Sequence, residues 1–194
     1  YNRYKFLGHE FLTWLWFKLD LFEGRLEIPG ASACEGWFAS QMVLAAWPST
    51  REKVTVRSDN PAETREALVA LREGKVPVKA GLCLTFGNQG YTFTLDGPKF
   101  ALSGVKLPAI TAEDEESHLA ERMRLLRDLD QALCSLFGEF VCVRLSPGWN
   151  TDLAPAIAKW VSGKRGSEAF TRRKYQAALR RAQAKLKMRA SRLG

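Results

Sequence analysis

The stretch KVPVKAGLCLTFGNQGYTFTLDG, residues 75–97, determines the fold class. Apolar residues alternate with other residues over 76–86, and the alternation returns over 91–95 after the turn residues 87–90. A period of two is typical of a strand with one buried face. We therefore expect two antiparallel strands joined by a tight turn, and the turn residues 96–98 predict a third strand over 100–107.

The residues before this hairpin predict further strands and one helix. Short apolar runs at 26–28, 36–39, 42–47 and 53–57 are separated by Pro, Gly, Ser and Thr, which is typical of short antiparallel strands. Asn60 is expected to cap a helix that has Pro61 at its first position, runs to Glu73 and stops at Gly74. The predicted fold is α+β, an antiparallel meander sheet packed with helices, plus a basic C-terminal helical tail.

The second half of the chain predicts helices. We expect Thr111 to cap a helix that ends near Gly138, with the acidic run 113–116 stabilised by the helix dipole at its start. Residues 139–145 fit either a buried strand or more helix, and a short helix is expected over 151–161. The apolar stripe expected to face the core consists of Leu119, Met123, Leu126, Leu129, Leu133 and Phe137.

The N-terminal stretch FLGHEFLTWLWFKLDLF, residues 6–22, raises three alternatives. A membrane span needs about 20 mostly apolar residues, and this run is shorter and carries Glu10, Lys18 and Asp20. A zinc site of the H-E-x-x-H type needs a second histidine where this chain has Thr13. We therefore expect a core helix that starts near Gly8 and is buried on several sides.

Length and cysteine content predict one main domain in a reducing compartment. The chain has 194 residues and 46% hydrophobic content, and four cysteines without a C-x-x-C pair. We expect a cytoplasmic protein whose thiols are small buried hydrophobes and which needs no metal or other cofactor. The predicted domains are 1–163, an α+β domain, and 164–194, a basic tail that is helical or disordered. Because the chain begins with Tyr1, we also expect an upstream part to be missing.

Charge is segregated along the chain. Residues 164–194 hold 11 Lys or Arg and one acid, a net charge of +10, whereas residues 1–163 hold 18 basic and 20 acidic residues, a net charge of −2. A cationic segment on a nearly neutral body is typical of a contact with a polyanion. The candidate DNA contacts in this segment are Lys164, Arg165, Arg172, Arg173, Lys174, Arg180, Arg181, Lys185, Lys187, Arg189 and Arg192.

Several stretches, in their order along the chain, resemble the bacterial recombination-associated RdgC family. The block PAETREALVALREGKVPVKAGLCLTFGNQGYTFTLDG resembles that family's acidic helix, G-K-V-x-x-K, alternating strand and hairpin. GHEFLTWLWF resembles a run of the divergent members, and LAERMRLL fits the helix near the family's C-terminus. The resemblance covers roughly residues 6–145 and rests on pattern more than on single catalytic letters.

The resemblance implies a homodimer that encircles double-stranded DNA without sequence preference, associates with the nucleoid and restrains the strand-exchange recombinase. Lys75 and Lys79 match the family's G-K-V-x-x-K, and Arg122 matches its helix arginine. The resemblance therefore makes these three residues candidates for lining a DNA channel. It implies no enzymatic activity.

Two other classes of function are weighed against DNA binding. In the first, the chain is a non-enzymatic interaction scaffold, and the apolar stripe of its basic tail docks on a partner or an anionic surface. In the second it is a metal-dependent hydrolase or nuclease, but Asp96, Asp114 and Glu139 are separate in sequence and each has a turn or helix explanation. No G-x-x-x-x-G-K-[ST] phosphate loop is present, so ATP-driven work is not indicated.

Overall fold

The computed structural model describes residues 5–28, 34–46, 51–163 and 168–190, with side chains at 10–28, 34–46, 51–163, 171–181 and 184. Its architecture is α+β: the described residues form a six-stranded antiparallel sheet and five α-helices, which confirms the predicted fold class. The chain divides into two compact units, Tyr1–Ser135 and Leu136–Gly194. The sheet lies in the first unit, and the described part of the second is helical.

The predicted hairpin forms the middle of the sheet. Strand β4 (Lys75–Phe86) turns at 87–88 into β5 (Gln89–Asp96), which continues into β6 (Ala101–Lys106) as an antiparallel meander. The burial of the side chains alternates along β5 and over residues 82–84 of β4, because one face of these strands packs on the core and the other is partly exposed. The buried side chains of these two strands include Leu82, Leu84, Tyr91, Phe93 and Leu95.

The other side of β4 pairs with a long strand, β2 (Cys34–Ala46). Two short strands pair with the edge of β2 that does not face β4. Strand β1 (Arg25–Leu26) pairs with the beginning of β2, and β3 (Lys53–Arg57) pairs with its end. The strand order is β1–β2–β4–β5–β6, with β3 also beside β2.

Strand β2 joins the run 36–39 with residues 42–46 of the run 42–47, which the sequence predicted as separate strands. A β-bulge lies between the runs, where the register against β4 shifts and Ser40 adopts a φ of +65°. A Cβ atom at Gly81 would lie 2.1 Å from the carbonyl oxygen of Ala39, so the bulge needs glycine on the neighbouring strand. The prediction of two strands was wrong because a bulge interrupts alternation without ending the pairing.

Helix α1 (Lys5–Leu21) is the aromatic-rich N-terminal stretch. Trp16 packs against Phe38 of β2 with ring centroids 5.9 Å apart, and even Lys18 is buried, with its ammonium 5.3 Å from the centre of the Trp14 ring. Buried apolar side chains of α1 are Phe11, Leu12, Trp14, Leu15, Trp16, Phe17, Leu19 and Leu21. In the part of the chain that the structure describes, no helix combines the length and apolar character that a membrane crossing needs. The core interpretation is confirmed.

The helix before β4 begins later than predicted. Pro61–Glu63 form a single 3₁₀ turn, and the side chain of Asn60 makes no capping hydrogen bond. Thr64 caps helix α2 (Arg65–Arg72), because its hydroxyl accepts a hydrogen bond at 3.3 Å from the backbone N–H three residues on. The predicted cap was wrong, since Pro61 starts one turn that the extended Thr64 ends. The predicted stop is confirmed, because Gly74 has a φ of +85°.

Helix α3 (Glu115–Arg144) also has a different cap from the predicted one. The carboxylate of Asp114 accepts a hydrogen bond from the backbone N–H of Ser117 at 2.8 Å. Hydrogen bonds from the side chain and then the backbone of Ser117 lower the pKa of Asp114. Thr111 lies outside the helix, and its backbone N–H donates to the Glu121 carboxylate at 3.1 Å. The prediction of Thr111 as the cap was wrong because Asp114, three residues later, satisfies the first free N–H groups.

Helix α3 passes through Gly138 and ends at Arg144, so residues 139–144 are helix and the predicted end was wrong. A glycine inside a helix costs only about 1 kcal/mol, which a 30-residue helix with a buried apolar row tolerates. The π-helical turn Trp149–Leu153 leads into helix α4 (Ala154–Val161). The rings of Phe140 and Trp149 meet edge to face at 6.2 Å and form part of the core of the second unit.

The apolar stripe predicted on α3 is only partly buried. Leu129 and Leu133 are buried, but Leu119 and Met123 are 60% and 61% exposed, and Leu126 is 38% exposed. The prediction for the last three was wrong, because α3 carries two apolar rows at helical spacing and periodicity alone does not select between them. The row that is buried consists of Leu125, Leu129, Ala132, Leu136, Phe140 and Val143.

All four cysteines are free thiols. Cys34 is buried, and burial raises its pKa to about 11, with a smaller opposing effect of Lys18. Cys83 and Cys142 are half-buried, whereas Cys134 is exposed, so the prediction of a buried thiol was wrong at Cys134. Cys134 lies on the solvent side of α3, where its neighbours Gln131 and Gly138 are exposed too.

Candidate nucleic-acid interface

The basic segment of the chain contains a regular helix. Residues 168–190 form helix α5 (Glu168–Ala190), 23 residues with one acidic side chain at the first position. The sequence left helix and disorder open for this segment, and the structure has helix. Its basic residues are Arg172, Arg173, Lys174, Arg180, Arg181, Lys185, Lys187 and Arg189.

Buried side chains anchor the first turns of α5 to the rest of the second unit. Tyr175 is buried, and its hydroxyl donates a hydrogen bond to the carboxylate of Glu139 on α3 at 2.6 Å. Ala178, one turn later, is buried as well, and it lies against Gly148, where an added Cβ would be 3.5 Å away. A hydrogen bond to a carboxylate contributes about 1.5–3 kcal/mol. A rotation of α5 about its axis would break this bond and expose Tyr175, so these contacts determine which side of α5 faces the rest of the unit.

An ion pair adds to this anchor. The ammonium of Lys174 donates to the carboxylate of Asp152 at 2.7 Å, and Lys174 holds the pKa of Asp152 below its ordinary value. Both side chains are partly exposed, so the attraction is modest and screened by salt. Lys174, a predicted DNA contact, is thus engaged within its own unit.

With the anchored side fixed, the opposite side of α5 faces solvent. Arg173, Arg180 and Arg181 are exposed, as are the neighbouring Gln176 and Ala177. Arg173 and Arg180 are two helical turns apart, about 10 Å along the axis. Arginines with exposed guanidinium groups on one side of a helix can each contact a phosphate oxygen.

Among the other predicted contacts of this segment, Arg172 has a described side chain, which is half-buried. Lys185 and Lys187 belong to the backbone of α5, but their side chains lie outside the described residues. Lys164 and Arg165 lie outside them entirely.

The three candidates in the first unit lie on two elements. Lys75 begins β4 and pairs with Glu73 at 2.8 Å, and the hydrogen bond from its ammonium to that carboxylate raises the pKa of Lys75. Lys79 is a half-buried residue in the middle of β4, and Arg122 is exposed on α3. The ion pair leaves Lys75 less available for a phosphate than Arg122.

Comparison with known proteins identifies no family. No protein-family model matches the chain, and no curated protein matches it. The resemblance to the RdgC family therefore stays a hypothesis. Within the described parts of the chain, no group of three or more His, Cys, Asp or Glu side chains is arranged to hold a metal ion.

One exposed aromatic side chain was not predicted from the sequence. Trp37 on β2 is 41% exposed, and no prediction from the sequence concerned this side chain. Residues two apart in a strand point to the same face. Trp37 is two residues from the charged Glu35, and this spacing is a sequence signal that Trp37 points outward. The hydrogen bond between Tyr175 and Glu139 could not be predicted in this way, because the two residues are 36 positions apart in sequence.

Proposed function

We propose that this protein binds double-stranded DNA through the phosphate backbone, without sequence preference, and that α5 is the principal contact. The observation that carries the proposal is that the helix holding most of the net positive charge is anchored on one side and presents Arg173, Arg180 and Arg181 to solvent on the other. At about 1.5 Å per residue, α5 is about 35 Å long, comparable to one turn of B-DNA.

Backbone binding fits the chemistry of these side chains. Arginine recognises phosphate through paired N–H groups, and contacts to phosphate carry no sequence information. Neutralisation of about six phosphates gives a log–log dependence of affinity on salt with a slope near −5. The resemblance to the RdgC family adds a role in recombination or replication, as a non-enzymatic nucleoid protein of the cytoplasm that restrains the strand-exchange recombinase.

The packing of α5 gives less support to the scaffold alternative. A basic amphipathic helix docks on a partner or membrane through its apolar side. In this protein Tyr175, which belongs to that apolar stripe, and the neighbouring Ala178 are buried within the second unit. Docking through the same side would require these contacts to break, including the hydrogen bond to Glu139.

We further propose a homodimer in which α3 pairs with α3 of a second copy, antiparallel. Leu119, Met123 and Leu126 form an exposed apolar row, which is the kind of surface that a partner covers. In an antiparallel pair, Leu119 of one copy meets Leu126 of the other, and Met123 lies near the twofold axis. The same arrangement brings Glu116 of each copy near Arg127 of the other, so these two charges attract across the interface.

The dimer is tested by cross-linking at the expected axis. In a Cys134→Ser background, Met123→Cys should form a disulfide-linked dimer under mild oxidation at low protein concentration. Ala120→Cys, exposed on α3 but off the row, is the matched control and should cross-link much less. Equal cross-linking at both positions, or a monomeric mass in solution with no cross-link, would contradict this interface.

DNA binding is tested by fluorescence anisotropy with two labelled duplexes of equal length and unrelated sequence, each titrated at two salt concentrations. The expected result is the same affinity for both duplexes and a steep loss of affinity with salt. A clear preference for one sequence would contradict backbone binding. The absence of binding at low salt would contradict DNA binding altogether.

A further inference from the structure

The face of the sheet that carries Trp37 is partly exposed and has a distinctive composition. Trp37 lies opposite Cys83 of β4, Cys83 opposite Thr92 of β5, and Thr92 opposite Lys106 of β6, so these four residues form one row across four strands. Directly opposed residues share a face of the sheet. Trp37 and Lys106 are exposed, and the two residues between them are half-buried.

Small side chains lie next to Trp37 across the strands. They are Cys83 and Thr92, whose Sγ and Oγ1 atoms lie 3.4 Å apart, so each is the hydrogen-bond partner of the other. The flanking row consists of Glu35, Thr85 and Gly90, also in register. A large aromatic side chain beside a floor of small residues leaves room for a planar ligand to stack.

The charges around this floor favour an anionic ligand at one end. Glu35 has Arg25 opposite it on β1, and Asp96 has Lys79 opposite it on β4, so both acids of this face are matched by a cation. Lys106 is exposed and has Thr92 opposite it, so no acid lies directly across from it on β5. With strands about 4.8 Å apart, Lys106 lies about 14 Å from Trp37, measured between Cα atoms, and both side chains extend above the sheet.

We propose that this face is a binding site for unpaired nucleotides of a DNA strand, with one base stacked on Trp37 and a neighbouring phosphate held by Lys106. An aromatic ring beside a cation is the combination that binds single strands without sequence preference. A base inside a duplex is stacked on both sides, so only unpaired or displaced bases present a free face to the indole. The inference rests on the proposed DNA-binding function, but it uses a different surface and ring stacking instead of counterion release.

The test compares Trp37→Ala and Trp37→Phe with the wild-type full-length chain. Binding of fluorescein-labelled oligo(dT) and of a labelled duplex is measured by anisotropy at moderate salt, after circular dichroism and thermal unfolding have shown that each variant is folded. Trp37→Ala should weaken oligo(dT) binding about tenfold and leave duplex binding unchanged. Trp37→Phe should retain most of the affinity, because a smaller ring still stacks.

Two further variants sharpen the assignment. Lys106→Ala should reduce the magnitude of the log–log salt slope for oligo(dT) by about 0.7, the share of one single-strand phosphate. Leu145→Ala removes a large apolar side chain that is 76% exposed in the second unit, and it should change neither binding curve.

Unchanged oligo(dT) binding by Trp37→Ala would overturn the inference, and so would an equal loss for both ligands. Binding of duplex but not oligo(dT) by the wild-type chain would overturn this inference alone. Binding of oligo(dT) that depends on Trp37, without duplex binding, would support the inference and overturn the proposed duplex function.

Discussion

Removal of the three exposed arginines of α5 is the sharpest test of where DNA binds. The variant Arg173→Ala/Arg180→Ala/Arg181→Ala keeps Tyr175 and Glu139, so the anchor of the helix is intact. Alanine is the best helix former, so the substitutions also preserve α5. Deletion of residues 164–194 is less informative, since it would remove the buried Tyr175 from the second unit.

The size of the effect follows from counterion release. A wild-type interface that neutralises about six phosphates has a slope near −5, and each arginine that contacts a phosphate accounts for about 0.9 of it. The variant should therefore show a slope of about −2.5. Between about 50 and 200 mM salt, wild-type affinity should fall about 1000-fold and that of the variant about 30-fold. Anisotropy titrations at four or five salt concentrations measure both slopes.

A matched variant controls for net charge. Arg65→Ala/Arg72→Ala/Lys99→Ala removes three exposed cations from the first unit and changes the net charge by the same amount. It should keep the wild-type slope. If both variants lose the same affinity, overall charge and not α5 determines binding. A wild-type slope in the α5 variant would refute the assignment of the interface.

Two further predictions concern stability and pH. Gly81→Ala should destabilise the first unit by several kcal/mol or prevent folding, because the added Cβ would overlap the Ala39 carbonyl. Gly138→Ala has open space around the added Cβ and should stabilise α3 by up to about 1 kcal/mol. Urea unfolding measures both changes in stability. Lys174 lowers the pKa of Asp152, so this pair stabilises the fold above the unfolded-state pKa of about 3.9 and the contribution is lost as the pH falls through the lowered pKa. Asp152→Asn should therefore be less stable than wild type at neutral pH, and the two should converge in acid; an Asn variant with an unchanged difference at all pH values would contradict the ion pair.

Much of the fold could be predicted because strong local periods survive folding. The alternation over 76–86 became β4, and the apolar circumference of residues 6–22 became the buried helix α1. Gly74 stopped α2 as expected, since a positive φ is easily adopted by glycine. In each case one segment of sequence contains the whole physical reason for the structure.

The errors arose where a distant residue decides the outcome. The bulge at Ser40 depends on the approach of Gly81, and periodicity did not reveal which apolar row of α3 packs on the core. For the candidate interface, the sequence located the charge on residues 164–194 but not the side of α5 that bears it. That side is fixed by the contact of Tyr175 with Glu139, which no local pattern contains.

Strand β2 has a consequence for how the first unit opens. It is the sole described strand that connects β1 and β3 to the meander, and its own partners on β4 are far away in sequence, such as Phe86 for Cys34. Within the meander, β4, β5 and β6 pair with their neighbours in sequence, so these pairings close short loops, whereas the pairing of β2 with β4 must close a long one. Detachment of β2 from β4 would release both edge strands together. In native-state hydrogen exchange, the amides of β1 and β3 should therefore be no better protected than the amides that form the hydrogen bonds between β2 and β4.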